Sequence, residues 1–383
     1  MVVRVPVSPD LLTWAVERVG WTDTEVVEHV PKFWDWVSGD SLPTFKQLEA
    51  FAHKTHAPVG YLFLPQPPDE QIPIPDFRTL DNAGVVRTSP DLLDTIYGAQ
   101  MRQDWYRDFA ASRDYERLDF VGSVTTASSV TTVASTIRDA LDFDLNNRGA
   151  FVNYEGALRQ LIDSIQDLGV LVMVSGIVGN NTHRALDPQE FRGFALTDEY
   201  APLIFINGAD TKAAQIFTMI HELAHLYLGE SALSDAPMAG AVTNANELWC
   251  NQVAAEVLVP LASLKTTYRN DTSLDELKRL ARVYRVSTLV VLRRIHDAGY
   301  LTWDAYRERY DVELDRVLTV MRESKAKGGD FYLTQPIRLG RHFMRAVIID
   351  TLEGRTLHRD AYGLLGTTKH ETFEKMASEL GIA

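Results

Sequence analysis

The spacing of apolar residues predicts a helix, three short strands and two buried helices between residues 150 and 265. Apolar positions recur at helical spacing from Tyr154 to Leu168, and short apolar runs bounded by turn residues follow. The segments from Ala214 to Glu230 and from Asn246 to Pro260 are apolar on several sides of a helix, which indicates that both are buried. The predicted strands are Val170–Ser175, Phe191–Thr197 and Leu203–Asn207.

Helical patterns flank this core on both sides. Capping residues and apolar spacing predict four short helices between residues 8 and 63, and the proline-rich stretch that follows is typical of an extended linker. Downstream, two helices are predicted around a turn at 285–287. We therefore expect an α+β, predominantly helical fold. The expected regions are an N-terminal helical domain 1–64, the linker 65–82, a helical bracing region 83–149, the core 150–265, a helix-turn-helix or winged-helix-like region 266–325 and a C-terminal helical segment 326–383.

The first buried helix contains an H-E-x-x-H motif formed by His221, Glu222 and His225. Two histidines four residues apart lie one above the other on a helix face, so both imidazoles can reach one ion. We expect Zn²⁺, which lowers the pKa of bound water to about 7, although Mn²⁺ or Fe²⁺ also suits such ligands. Glu222 is placed to take a proton from that water. The motif fixes only three positions. However, the apolar residues around it indicate a buried helix, which favours a metal because buried polar groups need partners.

A catalytic zinc site needs a third protein ligand, and the second buried helix supplies two candidates. Glu247 follows His225 by 22 residues, which suits a helix packed across the first. Glu256 is the weaker candidate, and its alternative role is that of an ordinary salt-bridged helix residue. Asn251, one turn after Glu247, is a candidate for orienting a ligating histidine through a hydrogen bond.

The sequence HELAHLYLGE, followed by E-x-x-C-N-x-V-A-A-E-V-L-V-P, resembles the ImmA/IrrE family of bacterial metallopeptidases. The upstream segments GFALTD, PLIFIN and FTMIHE also match the family pattern. Cys250 and Val253 depart from it, since the family usually has alanine and phenylalanine there. The resemblance implies a minimal zincin-like peptidase core, with Zn²⁺ held by His221, His225 and Glu247.

The same resemblance carries expectations about activity and partners. Relatives cleave a helix-turn-helix repressor and thereby switch on genes of a mobile element or a stress response. The resemblance therefore implies a zinc-dependent endopeptidase with such a regulator as its substrate. The four short N-terminal helices resemble the Xre-type helix-turn-helix domain found in the long form of this family.

Composition narrows the functional classes. The 383 residues are 45% hydrophobic and 23% charged, which is ordinary for a globular protein. The single cysteine, Cys250, excludes an intramolecular disulfide and fits a reducing compartment. The chain has no apolar run of about 18 residues, and its first residues lack the apolar core of a signal peptide. We therefore expect a cytoplasmic protein without a membrane partner.

The distribution of charged residues bears on two alternatives to a peptidase function. The net charge of −14, with five basic against eight acidic residues in 1–64, is unfavourable for binding DNA phosphates. We therefore interpret the N-terminal helices as a degenerate helix-turn-helix used for packing or for protein contact. Segment 275–301 has six basic against three acidic residues, which indicates either a nucleic-acid face or a solvated helix face. The alternatives to a peptidase are thus a DNA-binding regulator and an antitoxin that masks a toxin such as a nuclease, with vestigial or conditional proteolysis.

Two details of a peptidase reaction are less well specified by the sequence. An extended substrate would pair with an edge strand of the sheet, and we expect Phe191–Thr197 or Leu203–Asn207 to supply that edge. Arg192, His183 and Tyr227 are candidates for stabilising the oxyanion. For each of these three, a purely structural role is the more ordinary interpretation.

Overall fold

The computed structural model describes residues 3–76, 88–148, 151–234, 244–323 and 331–382. These residues divide into two units. The first contains the described residues up to 73 and those from 88 to 96, and the second contains 74–76 and the described residues from 97 onward. Residues 77–82 of the predicted linker lie outside the described residues, and the six-region division stays a prediction.

The first unit is built from short capped helices. Thr22 and Thr44 each accept a hydrogen bond from a backbone N–H three residues on, and the side chains of Glu25 and Gln47 accept from the capping residues in return. These capping boxes satisfy backbone donors that a helix start leaves free. Assignment of the unit as an Xre-type domain stays a prediction. Its elements are α1 (Pro9–Val19), α2 (Asp23–His29), α3 (Phe33–Ser38), α4 (Phe45–Lys54) and a 3-10 helix (Val59–Phe63).

A small mixed sheet lies in the second unit. Its strands are β1 (Leu171–Ser175), β2 (Gly193–Leu196), β3 (Leu203–Asn207) and β4 (Ala232–Ser234). The order across the sheet is β1–β3–β2–β4, with β1 and β3 parallel and the other two pairs antiparallel. Ser234 lies opposite Gly193 in the β2–β4 pair. Every strand residue is buried, as expected of a sheet covered on both faces.

The other described helices lie before, between and after these strands along the chain. The helices are α5 (Pro90–Ser112), α6 (Val130–Ala140), α7 (Leu145–Arg148), α8 (Tyr154–Asp167), α9 (Lys212–Leu228), α10 (Ala245–Leu258), α11 (Leu261–Thr267), α12 (Leu274–Tyr284), α13 (Thr288–Asp297), α14 (Trp303–Glu323), α15 (Phe331–Leu339), α16 (Arg341–Leu352), α17 (His358–Leu365) and α18 (His370–Glu379). Helix α9 packs on β2 and β3, and α10 packs along both α9 and α6. One apolar cluster runs from Val133 to Tyr310, so the core extends beyond the predicted region 150–265 on both sides.

The C-terminal helices contact the sheet through a close backbone approach. Gly340, at the start of α16, has φ 81°, and a Cβ there would lie 2.7 Å from the Val172 carbonyl oxygen of β1. Only glycine accepts both conditions without strain. Phe343 and Phe373 are fully buried beyond this point. Among the described residues, no helix has the length and apolar character needed to span a membrane.

The α+β, predominantly helical fold predicted from the sequence is confirmed, but two expectations about the sheet need correction. The sheet has a fourth strand, β4, whose three residues are too few to give a recognisable alternation. The expectation that Phe191–Thr197 or Leu203–Asn207 supplies the free edge is wrong. Strand β2 lies between β3 and β4, and β3 lies between β1 and β2, so the outermost strands are β1 and β4.

Candidate active site

Helix α9 presents the motif residues inside the core. Thr211 accepts a hydrogen bond from the Ala214 N–H at the start of the helix, and Gly229 ends it in a left-handed conformation. His221, Glu222 and His225 are all fully buried, although each carries a polar side chain. Burial of three such groups in an apolar helix is costly unless they find partners.

The partner comes from the first turns of α10. Glu247 Oε2 lies 3.1 Å from His221 Nε2, and Glu247 Oε1 lies 2.9 Å from His225 Nε2. The two Nε2 atoms are 3.2 Å apart. Ligand atoms about 2.0–2.1 Å from a tetrahedral zinc would be separated by about 3.3 Å. The three residues therefore fit a His₂Glu metal site, and the described part of the chain contains this one group of three potential ligands.

The contacts of this cluster favour the metal-binding forms of Glu247 and His225, whereas those of His221 favour its protonated form. Burial acts to raise the pKa of Glu247, but the neighbouring imidazoles outweigh it and hold that pKa well below its ordinary value. Burial lowers the pKa of His225, whereas at His221 the Glu247 carboxylate overcomes burial and raises the pKa. The cluster therefore favours an ionised Glu247, which is the form that can bind a cation.

Glu222 has a different environment from Glu247. Burial raises the pKa of the Glu222 carboxyl to about 8, against the opposing effect of His221. Its Oε1 atom is buried and makes no hydrogen bond within the described residues, and its Oε2 lies 3.5 Å from the Ser234 hydroxyl. Two carboxyls in one site are thus pushed in opposite directions, which is the arrangement expected when one binds a metal and the other exchanges protons.

Gly193 and Ser234 belong to this site, although the sequence analysis did not single them out. The Ser234 hydroxyl lies 3.4 Å from Glu247 Oε1, so it stands between the two carboxyls. A Cβ at Gly193 would come within 3.1 Å of Glu222 Oε1 and 2.7 Å of Thr218 Cγ2. The glycine of GFALTD was a visible signal, whereas nothing in the sequence marks Ser234 because its place depends on the pairing of β4 with β2.

Asn251 lies one turn after Glu247, as the sequence predicts. Its side chain is among the groups that raise the pKa of His221. However, Asn251 Oδ1 and His221 Nδ1 are both buried and neither has a hydrogen-bond partner in the described ranges. An amide oxygen beside an imidazole N–H is a suitable acceptor, so its orienting role stays a prediction.

Glu256 lies away from the metal cluster. Its carboxylate accepts a hydrogen bond from Arg294, whose guanidinium also donates to the Val259 carbonyl at 2.9 Å. Nine residues correspond to about two and a half helical turns, so Glu256 and Glu247 face opposite sides of α10. The structure thus gives Glu256 the salt-bridged role that was the alternative to a metal ligand.

The three candidates for oxyanion stabilisation have other contacts. Arg192 lies 3.6 Å from the Asp210 carboxylate. Tyr227 is buried, with its ring 5.0 Å from that of Phe120. His183 is exposed in the loop between β1 and β2. These positions provide no support for any of them as a catalytic group.

The outer edge of β4 is occupied by a segment of the same unit. The Leu233 N–H donates a hydrogen bond to the Pro75 carbonyl at 2.9 Å, and Asp76 forms a parallel bridge with Leu233. Because Ser234 is the next residue along the strand, this covered edge lies directly beside the candidate site. We call residues 74–76 the edge segment.

Most arginines of segment 275–301 are held by neighbouring groups. Arg279 pairs with Glu276, Arg285 donates to the carbonyls of Arg148 and Phe151, Arg293 pairs with Asp297, and Arg294 pairs with Glu256. Cations used in this way are less available to phosphates. The arrangement favours a structural role for the segment over a nucleic-acid face.

Comparison with known proteins agrees with this site. Residues 165–296 match the model of a peptidase family described as IrrE N-terminal-like domain, and residues 339–379 match Domain of unknown function (DUF8813). Neither the search of curated proteins nor the search of solved structures gives a match. The region 165–296, which includes both H-E-x-x-H histidines and Glu247, is therefore a domain similar to the IrrE N-terminal domain, and this similarity supports a metallopeptidase.

Proposed function

We propose that this protein is a zinc-dependent endopeptidase in which His221, His225 and Glu247 bind the metal and Glu222 is the general base. The observation that carries the proposal is the convergence of ligand atoms from two helices. Both Nε2 atoms lie within 3.2 Å of each other and of a Glu247 oxygen, beside a second buried carboxyl. A cluster with this much buried polarity is difficult to explain as packing alone.

The residues around the cluster can manage the proton of the reaction. When bound, Zn²⁺ would supply a Lewis acid that lowers the pKa of water. A bound cation would oppose the burial that raises the pKa of Glu222, and the ionised carboxylate, whose Oε1 has no hydrogen-bond partner among the described residues, would then accept a proton from the attacking water. The same carboxyl then donates that proton to the leaving amine. Gly193 leaves the space in which this carboxyl lies.

An extended peptide is the substrate form that suits the sheet. We propose that it pairs with the outer edge of β4, where the Leu233 N–H now donates to Pro75. Strand addition uses such main-chain groups for affinity and side-chain pockets for specificity. A substrate in the place of the edge segment would run beside Ser234, the residue that contacts both Glu222 and Glu247.

The biological substrate is proposed from the resemblance to ImmA/IrrE peptidases. It is a helix-turn-helix repressor, whose cleavage would derepress mobile-element or stress genes. A Glu222→Gln variant tests this directly, because a protein that binds but does not cut its substrate should retain the repressor in a pull-down. Retention of an uncut partner by the wild-type protein, unchanged by a chelator, would instead favour the antitoxin alternative.

Metal analysis combined with a cleavage assay tests the proposal. We expect about one zinc per chain in the wild type, in Glu222→Gln and in the exposed-loop control His183→Ala, and none in His221→Ala. Cleavage of a tagged peptide library, followed by mass spectrometry, should be lost in Glu222→Gln and kept in His183→Ala. A wild-type protein without metal after zinc is supplied, or cleavage that survives Glu222→Gln, contradicts the proposal.

A further inference from the structure

A cavity whose walls include no residue of the metal cluster has the features of a small-molecule site. Its volume is about 360 Å³, within the usual range for ligand pockets. The end of α5, the loop after it, the end of α8 and one face of α16 form its walls. Helices α5, α8 and α16 contribute the buried residues Phe109, Gln166 and Ala346 to these walls, respectively.

Two nearly buried polar groups face this cavity without partners. Tyr106 is 9% exposed, and its hydroxyl makes no hydrogen bond within the part of the chain that the structure describes. Burial raises the pKa of Tyr106 to about 12, so the hydroxyl keeps its proton and is a donor. Gln166 is 4% exposed. Its Oε1 accepts a hydrogen bond from the backbone N–H of His342 at 3.4 Å, while its NH₂ group has no partner among the described residues. Neither the hydroxyl nor the NH₂ group is fully enclosed by protein, so both can donate to a ligand in the cavity.

The acidic and the basic side chains of the cavity come from different elements. Glu116, from the loop after α5, and Asp167, at the end of α8, are the carboxylates. Arg345 and His342 both come from α16. One Arg345 nitrogen donates to the Leu380 carbonyl at 2.7 Å, but a guanidinium has five N–H donors and so retains others. The site therefore offers acceptors for a cation and donors for an anion on different elements.

We infer that this cavity binds a zwitterion of the α-amino-acid type with an apolar or aromatic side chain. The ligand ammonium is recognised by Glu116 and Asp167, and its carboxylate by Arg345 and His342. Its side chain rests on the apolar part of the wall, which includes Phe109 and three aliphatic residues. The aliphatic wall residues are Leu118, Ala346 and Ile349. A free amino acid and a short peptide share this chemistry, and neither depends on the metal site.

Calorimetric titration of the full chain tests the inference. The probes are L-phenylalanine and glycyl-L-phenylalanine, with N-acetyl-L-phenylalanine and L-phenylalaninamide as analogues that each lack one charge. We expect at least one zwitterion to bind, and each single-charge analogue to bind about tenfold more weakly, since hydrogen bonds to charged groups contribute about that factor. Comparison of the first two probes separates a free amino acid from a peptide.

Two variants connect binding to the cavity. Tyr106→Phe removes only the hydroxyl and Glu116→Gln only the charge, and each should weaken binding of the zwitterion by about three- to tenfold. Glu371→Gln, an exposed change on α18, is the matched control and should leave binding unchanged. If Tyr106→Phe does not fold, the exposed Glu116→Gln decides the question. Absence of binding by both zwitterions, equal binding of the single-charge analogues, or binding unaffected by the cavity variants overturns the inference.

Discussion

Mutation of two buried glutamates on α10 should have different effects, because Glu247 contacts the histidines and Glu256 contacts Arg294. Glu247→Ala removes a metal ligand, so we expect the metal to be lost. Glu256→Ala removes the partner of Arg294, whose side chain is 5% exposed. Breaking a buried ion pair from one side costs about 3–5 kcal/mol. Because Arg294 keeps the Val259 carbonyl at 2.9 Å and the Asp297 carboxylate at 3.3 Å, we expect a loss of about 3 kcal/mol, near the lower end.

The assay combines urea unfolding, followed by circular dichroism after chelation, with metal analysis of the folded protein. Glu256→Ala should lower the free energy of unfolding while keeping about one zinc per chain. Glu256→Gln, which retains the size and an acceptor oxygen, should lose less stability. The reasoning is refuted if Glu256→Ala loses its metal while folded, if its stability equals that of the wild type, or if Glu247→Ala retains the metal.

Three further predictions concern the site and the stability of its surroundings. Gly193→Ala should destabilise the protein by about 1–3 kcal/mol, measured by urea unfolding, because the new Cβ would lie 2.7 Å from Thr218 Cγ2 and 2.9 Å from the Phe205 carbonyl oxygen. It should also reduce cleavage in the peptide assay, because the same Cβ would lie 3.1 Å from Glu222 Oε1. The hydrogen bonds from Arg279 hold the pKa of Glu276 below its ordinary value, so stability should fall by about 1–2 kcal/mol as the pH decreases from about 5 to 3, and Glu276→Gln should remove this dependence in acid unfolding. A chelator should lower the melting temperature of the wild type but not of Glu247→Ala.

Each of these expectations has an outcome that contradicts it. Unchanged stability and cleavage in Gly193→Ala would mean that the strand has room for a side chain at that point. An identical pH profile in the wild type and Glu276→Gln would assign the acid loss to other carboxylates. Equal melting shifts on chelation in the wild type and Glu247→Ala would place the stabilising metal elsewhere.

The parts of the site that depend on local geometry were predictable from the sequence. His221 and His225 share a helix face because of their spacing, and α9 was recognisable from its apolar frame. β1 and β3 were found as short apolar runs, and the bounds of β3 agree with the prediction. Helices α12 and α13 meet at Arg285, inside the predicted turn, where that residue adopts φ 56°.

The features that depend on the order of strands were not predictable. The sequence order of β2 and β3 does not reveal that β3 lies between β1 and β2, so the edge was assigned wrongly. Ser234 meets the carboxyls only because β4 pairs with β2, where it lies opposite Gly193. The ambiguity between Glu247 and Glu256 also needed the structure, since it depends on which side of α10 faces α9.

The edge segment has a consequence for the behaviour of shortened forms of this protein. An uncovered outer strand presents unpaired main-chain groups that recruit other chains and promote aggregation. Pro75 supplies a carbonyl to Leu233 but has no N–H of its own, and Pro73 lacks one as well. A proline-rich segment in this place satisfies the strand without offering a full set of donors to another strand. A fragment that begins after residue 76 would leave the Leu233 N–H without this acceptor, and we expect such a fragment to self-associate where the longer chain stays dispersed.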